Sequence, residues 1–169
     1  MDRRSVFKEL VKKIAEGDKD ALTSAVSMAA YKVRRIAMQV LADSGLCEDV
    51  LSEVIIKLWE RAPKLAKLKN PLGYIYVSAY NLAVDYGRRR REIPLQEGIT
   101  AADEGGTGAA ELNIALSGLP GELREILLLK AAYGFNFREI AKITGMTHRQ
   151  VYTRYQKAAE QLKEIYFDK

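Results

Sequence analysis

Apolar residues near the N-terminus recur about once per helical turn, which predicts two successive helices. The first stripe consists of Val6, Leu10 and Ile14. Gly17 ends this pattern, and either Asp18 or Asp20 can supply the N-cap of the next helix. We expect that second helix to run to about Ala42.

Two longer helices are predicted in the middle of the chain. One runs from Cys47 to Arg61 and ends before Pro63, because proline cannot donate the backbone hydrogen bond that a helix needs. The other begins at Asn70-Pro71, an N-cap residue followed by proline at the first helical position, and continues to about Arg91. No stretch shows sustained strand alternation, so the sequence predicts an all-α protein.

The helical pattern fails between residues 92 and 118, which contain no basic residue. Turn-forming residues punctuate this segment: Pro94, Gly98, Gly105, Gly106 and Gly108. We interpret residues 92–118 as a flexible acidic linker between two small helical domains, residues 1–91 and 119–169, with a short helical piece near Ala109–Leu116.

The C-terminal segment has the punctuation of a helix-turn-helix. Pro120 opens a helix that leads to Gly134, which is predicted to form a left-handed C-terminal cap. Two capping boxes follow, Asn136-x-x-Glu139 and Thr147-x-x-Gln150. Gly145 lies between them and supplies the tight turn.

The pattern of residues in the last predicted helix indicates one buried and one exposed face. Its apolar stripe contains Val151, Tyr155, Ala158 and Leu162. The opposite face carries Arg149, Tyr152, Thr153, Gln156 and, at its edge, Lys157. Such side chains can contact base edges and phosphates in a major groove, and His148 at the helix start can bind phosphate or lie in solvent. The alternative is a solvated helix face in an interaction domain.

Helix 47–61 has an apolar and an acidic side. The predicted core side contains Val50, Leu51, Val54, Ile55, Leu58 and Trp59. The opposite side contains Asp49, Ser52, Glu53 and Glu60, with the apolar Ile56 in their midst. An isoleucine among acidic residues favours a partner contact, although a single exposed isoleucine is common on protein surfaces.

Helix 71–91 is predicted to bury Tyr76 and to place Tyr80 at the edge of its buried face. Its outward side contains Tyr74, Val77, Asn81, Val84 and Arg88. The helix ends in the run Arg88–Arg91. These arginines either favour the helix dipole or, with the aromatic residue, form a nucleic-acid surface.

The composition narrows the class of protein. The longest run without a charged residue has 15 residues, Asn70 to Val84, and a membrane-spanning helix needs about 20. No apolar core follows the N-terminal basic residues, so we expect no signal peptide. One cysteine and one histidine predict neither an internal disulfide nor a metal site.

The charge distribution favours a polyanionic partner. The net charge is +7 for residues 1–91, −5 for residues 92–118 and +3 for residues 119–169. Two basic segments around an acidic one, with a pI near 9.2, are typical of nucleic-acid binding, although many other helical proteins are as basic.

Three blocks of the sequence resemble bacterial RNA polymerase sigma factors of the small, two-domain extracytoplasmic-function (ECF) type. The blocks are EDVLSEVIIKLWERA, PLGYIYVSAYNLAVDYGRRRRE and LPGELREILLLKAAYGFNFREIAKITGMTHRQVYTRYQKAAEQL. The resemblance implies a cytoplasmic protein without cofactor, metal or small-molecule substrate, which does not insert into a membrane. It implies binding to core RNA polymerase, at the clamp coiled coil of the largest subunit and the flap, and to promoter DNA. An anti-sigma factor is a further implied partner.

The resemblance also implies roles for matching positions. Polymerase binding is implied for Glu48, Asp49, Glu53, Lys57, Leu58 and Trp59, to which the acidic side of the helix adds Ile56. Melting and recognition of the −10 element is implied for Tyr74, Tyr80, Asn81, Arg88, Arg89, Arg90 and Arg91. Contact with the −35 element is implied for Arg149, Tyr152, Thr153, Arg154 and Lys157, to which the exposed face adds His148 and Gln156. Tyr152 departs from the family, which usually has lysine or arginine there.

Two other functions remain open at the level of sequence. A helix-turn-helix regulator acting without polymerase would need no acidic surface around Ile56 and would usually dimerise. A helical enzyme has no support from a metal-ligand cluster, a nucleophile–base pair or a phosphate loop in the sequence.

Overall fold

The structure, a computed structural model, describes residues 2–92, 112 and 114–167, and every regular element in these ranges is helical. The elements are α1 (Arg3–Ala15), α2 (Lys19–Leu41), α3 (Ser44–Leu65), α4 (Pro71–Glu92), α5 (Gly121–Ala131), α6 (Phe137–Thr144) and α7 (His148–Phe167). The prediction of an all-α protein is confirmed. The backbone divides into two compact units, Met1–Ala83 and Val84–Lys169.

In the N-terminal unit, helices α1, α2 and α3 pack against one another. Their facing stripes bury residues such as Phe7, Val11, Val33, Val54 and Leu58. Asp18 caps α2 by accepting hydrogen bonds from the backbone N–H groups of Asp20 and Ala21, so the first of the two alternative caps is the one used. Removing these apolar side chains from water is the main source of stability for this unit.

Helix α3 is longer than predicted at both ends. It begins at Ser44, with Asp43 as its N-cap, and it includes Pro63 before ending at Leu65. Proline was expected to stop it, since its ring removes one backbone hydrogen bond. Ala62 and Leu65 are both fully buried on either side of the proline. Burial of these apolar residues therefore offsets the missing bond and extends the helix by one turn.

The C-terminal unit contains the predicted helix-turn-helix, α6 and α7. Asn136 and Glu139 form both bonds of a capping box at the start of α6. Thr147 and Gln150 do the same before α7, at 3.0 and 3.2 Å. Gly145 has φ +74°, the left-handed conformation expected of the turn. Local hydrogen bonding thus sets the start of both helices.

The segment between α4 and α5, which belongs to the C-terminal unit, is described only in part. Residues 114–117 are helical, in agreement with a short helical piece there, and Ala115, Leu116 and Leu119 are buried. Residues 93–111, most of the predicted linker, lie outside the described residues. Helix α5 ends at Ala131, whereas Gly134, at φ +68°, lies in the loop beyond its C-cap rather than at the cap itself.

Substituting Gly145 by alanine tests the turn between α6 and α7. An added Cβ would meet no atom within 4 Å, so the cost is backbone strain alone. We expect Gly145→Ala to lower the free energy of unfolding by about 1–2 kcal/mol, measured by urea denaturation. Gly121→Ala is the matched control, because its Cβ makes ordinary contacts in a right-handed helix. Equal stability of the two variants would contradict the strained turn.

Candidate nucleic-acid interface

The exposed face of α7 carries the residues predicted to contact DNA. Val151 and Ala158 are fully buried, which fixes the rotation of the helix about its axis. The residues exposed on the opposite side are His148, Arg149, Tyr152, Thr153, Gln156 and Lys157. They offer hydrogen-bond donors, acceptors and positive charge along one side of one helix, which suits a major groove. Tyr155 and Leu162, the other two members of the predicted apolar stripe, are half-buried, so the buried face of α7 is narrower than predicted while the exposed face agrees with the prediction.

Arg154 lies outside this face. Its guanidinium pairs with the Glu122 carboxylate of α5 at 3.2 Å, and its side chain is about one third exposed. In this structure the residue links α7 to α5, so the expectation that it contacts DNA alongside Arg149 is not supported by its orientation.

An aromatic cluster that sequence reasoning missed supports the exposed face of α7. We call this face, formed by His148, Arg149, Tyr152, Thr153, Gln156 and Lys157, the reading face. The ring of Phe137, at the start of α6, packs edge-on against His148, Tyr152 and Tyr155, with centroid distances of 5.8, 5.5 and 5.4 Å. The Lys130 ammonium lies 4.7 Å from the centre of the Phe137 ring. The signal was present in the sequence as three aromatic residues spaced by four and three along α7.

The first half of α4 differs from the prediction. Tyr74, Val77 and Val84 were expected to face outward, but all three are buried. The Tyr74 hydroxyl accepts a hydrogen bond from Arg61 at 2.7 Å. Residues 71–79 are buried without a break, so this part of the helix has no exposed side. Tyr74 therefore cannot stack on a base in this conformation.

Other predictions for α4 hold. Tyr76 is buried, as expected, and burial raises the pKa of its phenol. The Lys32 ammonium lies 4.5 Å from the centre of the Tyr76 ring. Tyr80 and Asn81 are half-buried, which places Tyr80 at the predicted edge.

The arginines at the end of α4 have different surroundings. Arg88 is half-buried and donates hydrogen bonds to the carbonyl oxygens of Ser117 and Leu119. Arg89 is exposed, with its guanidinium 5.8 Å from the centre of the Tyr86 ring. Arg90 is half-buried, and the side chain of Arg91 lies outside the described residues. Arg89 is thus the best placed of the described arginines to contact a phosphate.

The exposed side of α3 presents an apolar pair among acidic residues. Ile56 is 54% exposed and Trp59, one turn further on, is 39% exposed. The prediction that Trp59 belongs to the core was wrong, and Leu58 is buried, so its side chain adds nothing to this surface. Around the pair, Asp49 and Glu60 are exposed while Glu53 and Lys57 are half-buried. We call Asp49, Glu53, Ile56, Trp59 and Glu60 the α3 surface.

Glu48 begins this side of α3 and is held by α2. Arg34 donates to both Glu48 carboxylate oxygens, at 2.6 and 3.3 Å. This hydrogen bond holds the pKa of Glu48 below its usual range and raises the pKa of Arg34. The neighbouring Cys47 thiol is buried, which raises its pKa and keeps it in the unreactive neutral form.

Among the described residues, no cluster of histidine, cysteine or acidic side chains could hold a metal ion. Within the same ranges, no helix has both the length and the apolar character needed to cross a bilayer.

Comparison with known protein families gives two matches along the chain. The Sigma-70 region 2 model matches residues 27–93, and the Sigma-70 region 4 model matches residues 110–162. The first range contains the α3 surface and α4, and the second contains the helix-turn-helix. Two separate matches in this order define the class as a two-region, helix-turn-helix transcription protein.

Curated relatives agree with this class. The ECF RNA polymerase sigma factor EcfG of Rhodopseudomonas palustris is 24% identical, over 88% of this chain and 86% of the relative. The ECF RNA polymerase sigma factor SigW of Bacillus subtilis is 23% identical, over 94% and 96%. The probable RNA polymerase sigma factor RfaY of Xanthomonas campestris is 28% identical over 85% of this chain, but the match spans only 40% of that longer relative.

A solved structure supports the fold. The sigma factor RpoE of Bartonella quintana, in its complex with the anti-sigma factor NepR, matches with a TM-score of 0.52 at 20% identity. The match covers 85% of this chain and 94% of that one. This match shows the fold, and the family follows from the two family models and the curated relatives. The chain belongs to the sigma-70 family, as a sigma factor of the ECF type.

Proposed function

We propose that this protein is an alternative sigma factor, which binds core RNA polymerase, recognises −10 and −35 promoter elements and starts transcription. The observation that carries the proposal is the presence of both sigma-70 regions in one chain, each with an exposed surface of suitable chemistry. Residues 1–91 and 119–169 act as the two recognition domains, and residues 92–118 act as the linker between them. In this proposal polymerase carries out the chemistry, and the chain acts by binding polymerase and promoter DNA.

The α3 surface is the polymerase contact in this proposal. Ile56 and Trp59 offer apolar area that a partner can desolvate, and Asp49, Glu53 and Glu60 surround it with negative charge. This arrangement of an apolar centre and a charged rim is typical of protein–protein interfaces. It fits a basic partner surface with an apolar pocket, such as the clamp coiled coil expected from the family resemblance. The flap would be the second contact with polymerase.

The DNA contacts come from α7 and from the end of α4. The exposed residues of α7, from Arg149 to Lys157, suit direct contact with base edges of the −35 element. For the −10 element, α4 offers the exposed Arg89 and the half-buried Asn81. Because its proposed partners are promoter DNA and core polymerase, the protein would act in the cytoplasm. The RpoE match is to a complex with an anti-sigma factor, which supports a similar partner here.

Co-elution with bacterial core RNA polymerase, followed by transcription from selected promoter DNA, tests this function. We expect stoichiometric co-elution and transcripts that require the chain. A helix-turn-helix regulator acting alone, the alternative that the comparisons do not favour, would bind duplex DNA and fail to co-elute. That result, with a control sigma factor that does bind, would overturn the proposal.

Two arginines of α4 are predicted to have different roles, Arg89 in phosphate binding and Arg88 in the stability of the fold. Arg89→Ala should reduce the slope of log binding constant against log salt by about 0.7–0.9, as expected for one lost phosphate contact. Arg88→Ala should instead lower the free energy of unfolding by about 1.5–3 kcal/mol, because its charged hydrogen bonds go to backbone carbonyls. Promoter binding by the holoenzyme across a salt series measures the first effect, and urea denaturation measures the second.

Arg4→Ala removes the same charge from an exposed position on α1 and is the control for net charge. It should leave the salt slope unchanged. A slope that Arg4→Ala lowers as much as Arg89→Ala would show that overall charge, rather than a contact of Arg89, governs binding.

A further inference from the structure

Two exposed side chains on α7 are joined to each other. Gln156 Nε2 donates a hydrogen bond to the Tyr152 hydroxyl at 3.0 Å, across one helical turn. Tyr152 is 45% exposed and Gln156 is also exposed, so solvent could bind both groups separately. The bond instead limits the rotamers of a long amide side chain that would otherwise be mobile.

The tyrosine is itself held by Phe137, the first residue of α6. Its ring packs against Phe137 at a centroid distance of 5.5 Å and an interplanar angle of 90°, the edge-to-face geometry that aromatic pairs favour. Phe137 is half-buried and also contacts His148 and Tyr155. A chain of contacts therefore runs from Phe137 through Tyr152 to Gln156 and orients an amide on the reading face.

The chemistry of the amide points to one base. The bond to Tyr152 uses one hydrogen of Nε2, and a glutamine amide has a second N–H and a carbonyl Oε1 with which it can bind a base. An amide N–H and carbonyl together match adenine, which accepts at N7 and donates from N6 in the major groove. We infer that Gln156, positioned by Tyr152 and Phe137, selects an adenine in the upstream promoter element. This inference rests on the proposed function and adds the base that the reading face prefers.

The inference predicts coupling between the residues. Gln156→Ala removes the amide, and Tyr152→Phe keeps the ring against Phe137 but removes the hydroxyl. Both should relax the preference at the same base pair, by on the order of tenfold for Gln156→Ala, and the double variant should relax it no further. Phe137→Leu should relax that base pair too, without loss of helical content. If Gln156→Ala and Tyr152→Phe relaxed the preference at two different base pairs, that result would contradict a positioning role for Tyr152.

The experiment uses holoenzyme assembled from core polymerase and the full chain. Duplex DNA with a random upstream segment is selected by each variant, and the retained sequences give a base preference at every position. Lys163→Ala, on an exposed site further along α7, is the control and should leave the preferences unchanged. We expect an adenine whose enrichment depends on Gln156 and on Tyr152.

The outcomes distinguish this inference from the proposed function. Wild-type holoenzyme that retains no defined sequence would overturn both. A defined sequence that the Gln156 and Tyr152 variants retain with unchanged preferences would overturn the adenine contact alone. Dependence on both residues at a base other than adenine would support the coupling and overturn the assignment of the base.

Discussion

Ile56→Asp should abolish co-elution with core RNA polymerase while leaving the helical content unchanged. Ile56 is half-exposed at the centre of the α3 surface, so its replacement removes apolar area from the proposed interface. The new carboxylate would also join Asp49, Glu53 and Glu60 and would be buried without a partner on binding. Central interface residues of this kind cost at least about 2 kcal/mol when lost, which weakens binding about 30-fold or more.

Met38→Asp is the matched control for this prediction. Met38 is a large apolar residue of α2 in the same unit, and it is 44% exposed, so the change in chemistry and exposure is similar. Circular dichroism should show both variants folded, because substitutions at exposed sites seldom change stability by more than about 0.5 kcal/mol. If Ile56→Asp co-elutes as well as Met38→Asp, the α3 surface is not the polymerase contact.

The best-predicted parts of the molecule depend on residues close together in sequence. Both capping boxes link positions three residues apart, Asn136 with Glu139 and Thr147 with Gln150, and the left-handed turn needs only Gly145. These local hydrogen bonds and sterics do not depend on the rest of the fold. The helix-turn-helix and the exposed face of α7 could therefore be predicted from the sequence.

Helix α4 was predicted less well because a helical wheel assumes one buried and one exposed side. The wheel predicts that Tyr74 and Val77 face outward, but the first half of the helix, residues 71–79, has no exposed side. The sequence carries a signal for this, since the uncharged run from Asn70 to Val84 covers the first four turns of the helix. A helix that is apolar on all sides is buried in a protein core.

Other features require tertiary structure and have no local signal. Pro63 predicts the end of a helix, but burial of Ala62 and Leu65 extends α3 past it. The contact between Tyr152 and Phe137 joins α7 to the preceding helix. At each of these sites the outcome depends on residues from other elements, and the sequence pattern does not give the positions of those residues.

The pair formed by Asp85 and Arg124 is the clearest case, as the two residues are 39 positions apart. Arg124 is fully buried, and its Nη2 lies 2.9 Å from Asp85 Oδ1. Its Nη1 donates to the Leu119 carbonyl at 3.1 Å, and Arg88 donates to the same carbonyl. The Asp85 side chain is 43% exposed, so the two charges differ greatly in their access to water.

Because of this difference, we expect loss of the exposed Asp85 to lower the free energy of unfolding more than loss of the buried Arg124. Asp85→Ala leaves the Arg124 guanidinium buried without the opposing carboxylate, which should lower the free energy of unfolding by about 3–5 kcal/mol. Arg124→Met removes the buried charge and keeps most of the apolar stem, while Asp85 can be hydrated and Leu119 keeps its bond from Arg88. That variant should lose only about 1–2 kcal/mol.

Urea denaturation followed by circular dichroism measures both variants and the double variant. Asp85→Ala combined with Arg124→Met should be as stable as Arg124→Met alone, because the carboxylate has no buried charge left to balance. The double variant would then be more stable than Asp85→Ala, although it carries one substitution more. If Arg124→Met proves as costly as Asp85→Ala, packing and backbone hydrogen bonds of Arg124, rather than the balance of its charge by Asp85, stabilise this part of the protein.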